Sequence, residues 1–570
     1  MKNQEIADVF YQIADLLEIK GEQPFRVRAY RRAAQRIETL EVDVEDLYRK
    51  GRLRDVPGIG ESIARKIEEL IETGRLEYLE NLKKEVPEEL IRLMEIPGVG
   101  PKKALVLYKR LGITTVDQLR EACKKGRLRH LEGFGELTER NILRGIEMLE
   151  RSKGRYLINV AYEDGYRIVE YLKKNKDVIE ISIAGSLRRM KETIGDIDIL
   201  VSSLNPDSIM NDFVRYPDVK DILVKGSKKT SVILRDGIQV DVRVVKPESF
   251  GAALQYFTGS KDHNIRIRNI AVKMGLKINE YGVFRKDTGE YIAGRTEEEV
   301  YQAIGLQYIE PELRENRGEI ELAKEGRLPK IVRYEDVRGD FHIHSTWSDG
   351  TASIEEIAKR AQEMGYEFVG IADHSASLKV AHGLSEEDLL KKIQEIRRLQ
   401  ERFDVRILAG TECDIKPDGT LDYSNKVLKE LDFAYAAIHS KFKMDRKEMT
   451  ERIIKAMENE YINILAHPTA RMIGKREPLD IDLERIFEVA KETNTFMEIN
   501  AFPDRLDLND VHARMAKEMG VKMAIGSDSH ALDHMRFLRF GTAVARRGWL
   551  EKKDILNTYD LREIEKAFGR

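Results

Sequence analysis

The run Gly185-Ser186-Leu187-Arg188-Arg189-Met190-Lys191-Glu192-Thr193-Ile194-Gly195-Asp196-Ile197-Asp198-Ile199-Leu200-Val201 joins a Gly-Ser turn and two arginines to an Asp-x-Asp pair that opens an apolar segment. The apolar residues after the pair read as a strand, and side chains two apart on a strand share a face, so both carboxylates point the same way. A second strand, Ile238-Gln239-Val240-Asp241-Val242-Arg243-Val244-Val245, carries a third acid, Asp241. Three gathered acids call for cations. A pair of Mg²⁺ ions (or Mn²⁺) roughly 3.5 to 4 Å apart would activate an attacking hydroxyl and stabilise a leaving pyrophosphate. Gly185, Ser186 and Arg189 offer backbone, hydroxyl and guanidinium donors for triphosphate oxygens. Asp-x-Asp by itself is more often a solvated pair at a strand end.

The segment downstream changes the weight of that pair. Tyr256-Phe257-Thr258-Gly259-Ser260 follows Asp241, with Asn264, Arg266 and Arg268 next and Leu276-Lys277-Ile278-Asn279-Glu280-Tyr281-Gly282 after them. With these motifs the first 310 or so residues resemble the family X DNA polymerases, the nucleotidyltransferases related to polymerase beta. The resemblance implies that Asp196 and Asp198 bind both metals and that Asp241 binds the catalytic metal and helps activate a primer 3'-hydroxyl. It further implies that Gly185, Ser186, Arg189 and Gly195 serve the incoming nucleotide, that Tyr256 and Phe257 line its sugar pocket and that Gly259 packs near it. Asn264 would reach the base edge and Arg268 the template strand. Gln239 departs from the arginine that the animal enzymes carry beside the third acid, which bears on primer positioning.

Composition sets the frame. A chain of 570 residues should form several domains, and 42% hydrophobic content supports real cores. The net charge of -3 excludes a uniformly basic protein, so any grip on nucleic acid must come from local patches such as Arg26, Arg28, Arg31, Arg32 and Arg36, or Lys102, Lys103, Lys109 and Arg110. Two cysteines, Cys123 and Cys413, exclude a disulfide framework and a Cys-rich zinc site. Met1-Lys2-Asn3-Gln4 opens an amphipathic helix rather than a signal peptide, and no apolar run is long enough for a bilayer. The expectation is a cytoplasmic monomer with no membrane attachment.

The first 150 residues are helical in period and repeat a hairpin. Val56-Pro57-Gly58-Ile59-Gly60 and Ile96-Pro97-Gly98-Val99-Gly100 each precede a helix, and Leu131-Glu132-Gly133-Phe134-Gly135 is a fainter third copy. Glycine permits the left-handed turn and close backbone approach. Exposed N–H groups at Gly58, Gly60, Gly98 and Gly100, with Lys102 beside them, suit DNA phosphates without reading bases. A lone copy would be an ordinary interhelical turn; recurrence makes it a helix-hairpin-helix pattern. Lys66 stands where the polymerase beta resemblance places a Schiff-base lysine acting on 5'-deoxyribose phosphate; the alternative is a phosphate contact.

Beyond a charged run from Pro311 to Lys330 the chain becomes a β/α alternation whose strands end in histidines and acids. Asp340-Phe341-His342-Ile343-His344, Phe368-Val369-Gly370-Ile371-Ala372-Asp373-His374, Ile407-Leu408-Ala409-Gly410-Thr411-Glu412, Ala434-Tyr435-Ala436-Ala437-Ile438-His439, Ile462-Asn463-Ile464-Leu465-Ala466-His467 and Met523-Ala524-Ile525-Gly526-Ser527-Asp528-Ser529-His530 form the series. Polar groups gathered at strand C-termini are the barrel pattern. The series resembles the polymerase and histidinol phosphatase (PHP) domain, which implies up to three metals held by His342, His344, Asp349, His374, Glu412, His439, His467, Asp528 and His530, all present. Imidazole-rich ligation favours Mn²⁺ or Zn²⁺. His382, His512 and His534 are expected at the surface or behind the ligands, and His263 as a DNA contact or an exposed residue.

The expected architecture is multidomain α and α/β. A helix-hairpin-helix domain spans 1–85, fingers with a second hairpin 86–150, a mixed-sheet nucleotidyltransferase palm 151–245, a thumb 246–312, a linker 313–338 and a distorted PHP barrel 339–570. The expected function is gap filling in base-excision repair on gapped or nicked DNA with dNTPs, joined to metal-dependent 3'-5' hydrolysis, with abasic-site endonuclease and lyase activities as additions. Two other readings stay open: a DNA-binding repair nuclease with an inactive palm, and a PHP phosphatase acting on small phosphate esters.

Overall fold

The computed structural model describes residues 3–569 apart from 39, 41–43, 57, 87, 97 and 153. Pro57 and Pro97 of the expected hairpins, and Met1 and Lys2 of the first helix, lie outside the described residues. The chain divides into two compact units, one made chiefly of Met1–Lys153 and one holding nearly all the rest.

The first unit is helical. In its opening helix, Asn3–Lys20, Ile6, Phe10, Ile13 and Leu17 recur at helical spacing and all are buried, so one stripe builds the core. Gly58 and Gly98 sit at φ +91° and +87°, a backbone conformation that glycine reaches without cost, and each leads into a helix, Glu61–Thr73 or Pro101–Leu111.

The second unit begins with a five-stranded mixed sheet ordered Glu180–Ile183, Asp196–Ser202, Gln239–Val245, Lys229–Leu234, Val219–Lys225. Its central pair, Asp196–Ser202 with Gln239–Val245, is parallel and the flanking pairs are antiparallel. Helices Phe250–Thr258 and Lys261–Lys273 follow, then the antiparallel strands Leu276–Asn279, Gly282–Arg285 and Tyr291–Ala293. His263 is neither exposed nor placed to touch DNA, contrary to the expectation. It is 0% exposed, with Nδ1 2.7 Å from Glu319 Oε1 and Nε2 2.9 Å from the Tyr301 hydroxyl. The reason is helical phase: His263, Ile267 and Ala271 stand four apart on the buried face of one helix.

The stretch 313–338, whose charge suggested a linker, is tied down at several points. Leu313, Ile320, Ala323 and Val332 are buried, and the Val332 amide donates to the Leu550 carbonyl at 2.9 Å. Trp549 enters the same apolar cluster as Ala252, Ile267, Ile304 and Ile331, so the C-terminal region completes the core of the segment that follows the palm.

The remaining residues form parallel sheets with helices between strands. Gly339–Ile343, Phe368–Ile371 and Arg406–Ala409 make one sheet; Glu412–Asp414, Tyr435–Ala437, Ile464–Leu465, Phe496–Asn500 and Met523–Gly526 make the other. Parallel bridges Ile343–Ser529 and His374–Glu412 join the two sheets at both seams, giving a distorted barrel. Near-continuous burial along these strands is what a sheet covered on both faces requires.

Candidate functional site

The parallel register sets Asp198 directly opposite Asp241 and Asp196 opposite Gln239. Asp196 is exposed, Asp198 half-buried and Asp241 buried, so the trio runs from solvent into the sheet. Burial pushes the Asp198 carboxyl up to about 7, and the neighbouring Asp196 and Asp241 charges add to it. Burial works against the Asp241 carboxylate too, yet Lys229, with Nζ 2.5 Å from Oδ2, and Gln239, which donates to Oδ1 at 3.0 Å, hold it below the usual range. Gly185 lies against this cluster at φ +64°, and a Cβ there would collide with the Asp198 carboxylate. An acid-only donor set in which one carboxyl is raised chiefly by burial and further by two neighbouring charges fits a hard divalent cation.

The groups expected around the nucleotide are close by and engaged with one another. Arg189 Nε donates to Glu315 Oε1 at 3.1 Å and its NH1 to the Thr258 carbonyl at 2.5 Å. Gly259, at φ +74°, faces that guanidinium, and a Cβ there would stand 3.1 Å from it. Ser186 and Gly195 are half-buried on the same loop. Asn264 donates to the Tyr256 carbonyl at 2.7 Å and accepts from Gln255 at 2.7 Å, so its amide is committed to its own helices. Arg268 lies 5.9 Å from the Tyr256 ring, and Arg243 sits 4.4 Å over Phe257.

In the helical unit, Gly58, Gly60, Gly98, Gly100 and Lys102 are exposed. A Cβ built on Gly60, Gly98 or Gly100 meets nothing within 4 Å, so nothing in the chain crowds these turns. Lys66 Nζ lies 4.9 Å from the Tyr78 ring centroid and donates to Ser62 Oγ at 3.1 Å. Burial lowers its pKa, opposed by Glu69 and helped by Arg26.

The barrel gathers its nine expected residues at one end. Three overlapping groups emerge, His344–Asp349–His374–His530, His342–His344–Asp528 and His374–Glu412–His439, with ligand atoms in each group within 4.8 Å of one another. His467 completes the set with Nε2 2.8 Å from Glu412 Oε1. His374 Nδ1 lies 2.8 Å from Glu412 Oε2, yet both atoms are buried without a hydrogen bond. The same holds for His342 Nε2, His344 Nε2 and Asp349 Oδ1. Orphaned buried donors and acceptors aimed at one space are costly unless a cation takes them, so the residues fit a multinuclear metal centre. Burial, then His530 and His374, push His344 down to about 4. His439 goes the other way: Glu412 and Asp414 outweigh its burial and raise it to about 10. Non-glycine residues at positive φ, His467 at +26° and Asp528 at +55°, mark backbone strain at two of the nine.

Sequence reasoning missed the groups behind these ligands. Glu498 accepts from His342 Nδ1 at 2.6 Å, Asp414 pairs with His439 Nδ1 at 2.5 Å, and Asn500 donates to Asp528 at 3.0 Å. Such partners fix ring orientation and tautomer. A signal was there: Glu498 and Asn500 alternate on one face of a buried strand, as do Glu412 and Asp414. Of the three remaining histidines, His382 is exposed, His512 half-buried, and His534 accepts from the His530 amide.

Comparison with known proteins gives four family matches. The DNA polymerase beta thumb matches residues 253–315, a helix-hairpin-helix domain 1–76, a SAM-like helix-hairpin-helix tandem 88–147 and the PHP domain 340–502. A Bacillus subtilis protein named DNA polymerase/3'-5' exonuclease PolX is 39% identical over 573 residues, covering 100% of both chains. A probable phosphatase of Acetivibrio thermocellus is 34% identical over 200 residues, 34% of this chain and 78% of that one. A probable phosphatase of Thermoanaerobacter is 31% identical over 233 residues, 38% of this chain and 89% of that one. Full-length identity to a two-activity protein, with polymerase-type and PHP segments in one order, makes this chain a member of the family X DNA polymerases that carry a C-terminal PHP domain.

Proposed function

We propose that this protein is a DNA-directed DNA polymerase that fills short gaps during repair and a 3'-5' exonuclease that trims ends at its PHP centre. The observation that carries the reading is the register that sets Asp198 opposite Asp241 in a chain 39% identical throughout to a DNA polymerase/3'-5' exonuclease. Divalent cations, when bound by Asp196, Asp198 and Asp241 and by the nine barrel residues, supply Lewis acidity for hydroxyl or water attack and offset charge on the leaving group. Mg²⁺ or Mn²⁺ suits the acid-only set; Mn²⁺ or Zn²⁺ suits the histidines.

The chain's own residues do the rest. Ser186 and Arg189 hold the triphosphate, Tyr256 and Phe257 flank the sugar, and Gly259 lets the backbone approach. Arg268 meets the template strand, and Asn264 would reach the base edge by giving up its bonds to Gln255 and the Tyr256 carbonyl. Asp241, kept ionised by Lys229 and Gln239, takes up the proton that the primer 3'-hydroxyl gives up as its oxygen attacks. Glu498 and Asp414 hold His342 and His439 with one ring nitrogen facing inward. The glycine hairpins grip phosphates on either side of the gap, and Lys66 acts on a 5'-deoxyribose phosphate. Borohydride trapping on such a substrate tests that last role, since a phosphate contact leaves no covalent adduct.

The decisive experiment is a 5'-labelled gapped duplex with and without dNTPs. Extension with dNTPs and shortening without them support the reading; shortening alone would leave a nuclease with an inactive palm. The likeness to proteins named probable phosphatases favours a second reading of the barrel, hydrolysis of small phosphate esters. That reading requires phosphate release from such an ester with no trimming of DNA.

A further inference from the structure

The palm loop that carries Arg189 is held from outside the palm, by side chains of the barrel. Arg547, 4% exposed at the end of the helix Leu538–Arg547, donates through NH1 to the Arg189 carbonyl at 2.7 Å and to Glu315 Oε1 at 3.0 Å. Its NH2 donates to Asp510 Oδ2 at 2.8 Å, an atom shared with Arg317 NH1 at 3.1 Å. The Glu315 oxygen that takes Arg547 also accepts from Arg189 Nε at 3.1 Å. On the far side of the same turn, Arg471 donates to both Glu192 oxygens, at 2.6 and 3.4 Å. Arg471 is itself fixed by the Arg505 carbonyl at 2.8 Å and the Leu506 carbonyl at 2.6 Å. Between these anchors Met190 sits at φ +52°, a conformation that a non-glycine residue keeps only when its surroundings impose it.

None of the nine expected metal ligands contacts Arg547 in this network. We propose that Arg547 is a positioning residue for polymerisation, a barrel side chain that fixes Arg189 for the triphosphate of the incoming nucleotide, with Arg471–Glu192 as its companion. The proposal rests on the reading of Arg189 as a triphosphate contact. Two effects act in the same direction. Arg547 anchors the loop through the Arg189 carbonyl, and a small misplacement of a binding group is expensive in a phosphoryl-transfer site. Arg547 also shares the Glu315 charge, so without it that carboxylate would hold Arg189 alone and compete with the triphosphate.

The test uses the full chain on a gapped duplex, measuring dNTP dependence of extension, dNTP binding to a dideoxy-terminated gap, and trimming without dNTP. Arg547→Ala should raise the KM and the dissociation constant for dNTP about tenfold, and Glu192→Gln about threefold, with kcat and trimming within about twofold. His439→Ala should abolish trimming and leave the KM alone, separating the anchor from the barrel's chemistry. Arg189→Ala is the reference. If it leaves the KM unchanged, the triphosphate reading fails and the proposal with it. If it raises the KM while folded Arg547→Ala does not, the proposal alone fails. Should Arg547→Ala not fold, the partly exposed Glu192→Gln decides, and an unchanged KM there overturns the proposal. Equal losses of extension and trimming in Glu192→Gln would reduce the network to scaffolding and overturn it too.

Discussion

The palm and the barrel gather candidate cation ligands in opposite ways. The palm lines three carboxylates along two strands with one end open to solvent, and Lys229 and Gln239 already occupy the buried acid. The barrel gathers nine candidate ligands, six of them imidazoles and all but Asp349, His439 and His530 buried, and leaves several of their polar atoms without hydrogen bonds. An open acidic shelf suits a cation that arrives with its substrate, as phosphate-bound Mg²⁺ does. A mostly buried, histidine-rich cage suits resident ions that contribute to the stability of the fold.

The sharpest way to break this comparison is to remove acids from the shelf. Asp196→Ala with Asp198→Ala should lower extension by roughly four orders of magnitude, as loss of groups acting as one unit does, with trimming within about twofold. Loss of both activities in a folded protein would mean that the two sites are not independent. Next in size, His344→Ala should cost roughly three orders of magnitude in trimming and remove bound metal, while gapped-DNA extension stays within about threefold. Full metal content by elemental analysis would contradict the ligand assignment.

A third test addresses residency. Mn²⁺ at about a hundred times its dissociation constant should stabilise chelator-treated wild-type protein by about 2.7 kcal/mol in thermal unfolding, and Glu412→Ala should show much less of this. Equal stabilisation of the two would place the ions elsewhere. The smallest effect concerns the hairpins. Gly100→Ala meets open space and should unfold like the wild type, whereas Gly98→Ala, at φ +87°, should cost about 1 to 2 kcal/mol. Both should weaken gapped-DNA binding about threefold and flatten its salt dependence, because a phosphate contact is lost. Unchanged affinity with a steep salt slope would remove these turns from the DNA interface.

What could be read in the sequence were features with a local period. Asp196 and Asp198 share a face because strands alternate, and the barrel ligands stand out because one residue type recurs at successive strand ends. The family resemblance added expectations for Arg189 and Asn264 that no local period carries. Long-range partnership was not legible. Nothing local says that Lys229 lies on Asp241, that Glu315 reaches Arg189 across 126 positions, or that Glu319 closes on His263. Charge misled in the 313–338 stretch, where Arg314 and Glu319 are buried as paired groups rather than solvated.

Trp549 gives these observations a practical edge. It is 6% exposed, stacks under Arg514 at 3.7 Å, and belongs to an apolar cluster otherwise built from residues 252–331. A chain cut after residue 338 would keep every expected palm ligand and nucleotide contact and still lose one wall of its interior, along with the Arg546 partner of Glu312. The two activities are therefore expected to separate by point substitution but not by dissection. Low polymerase activity in such a fragment would report a torn core rather than a dependence of synthesis on hydrolysis.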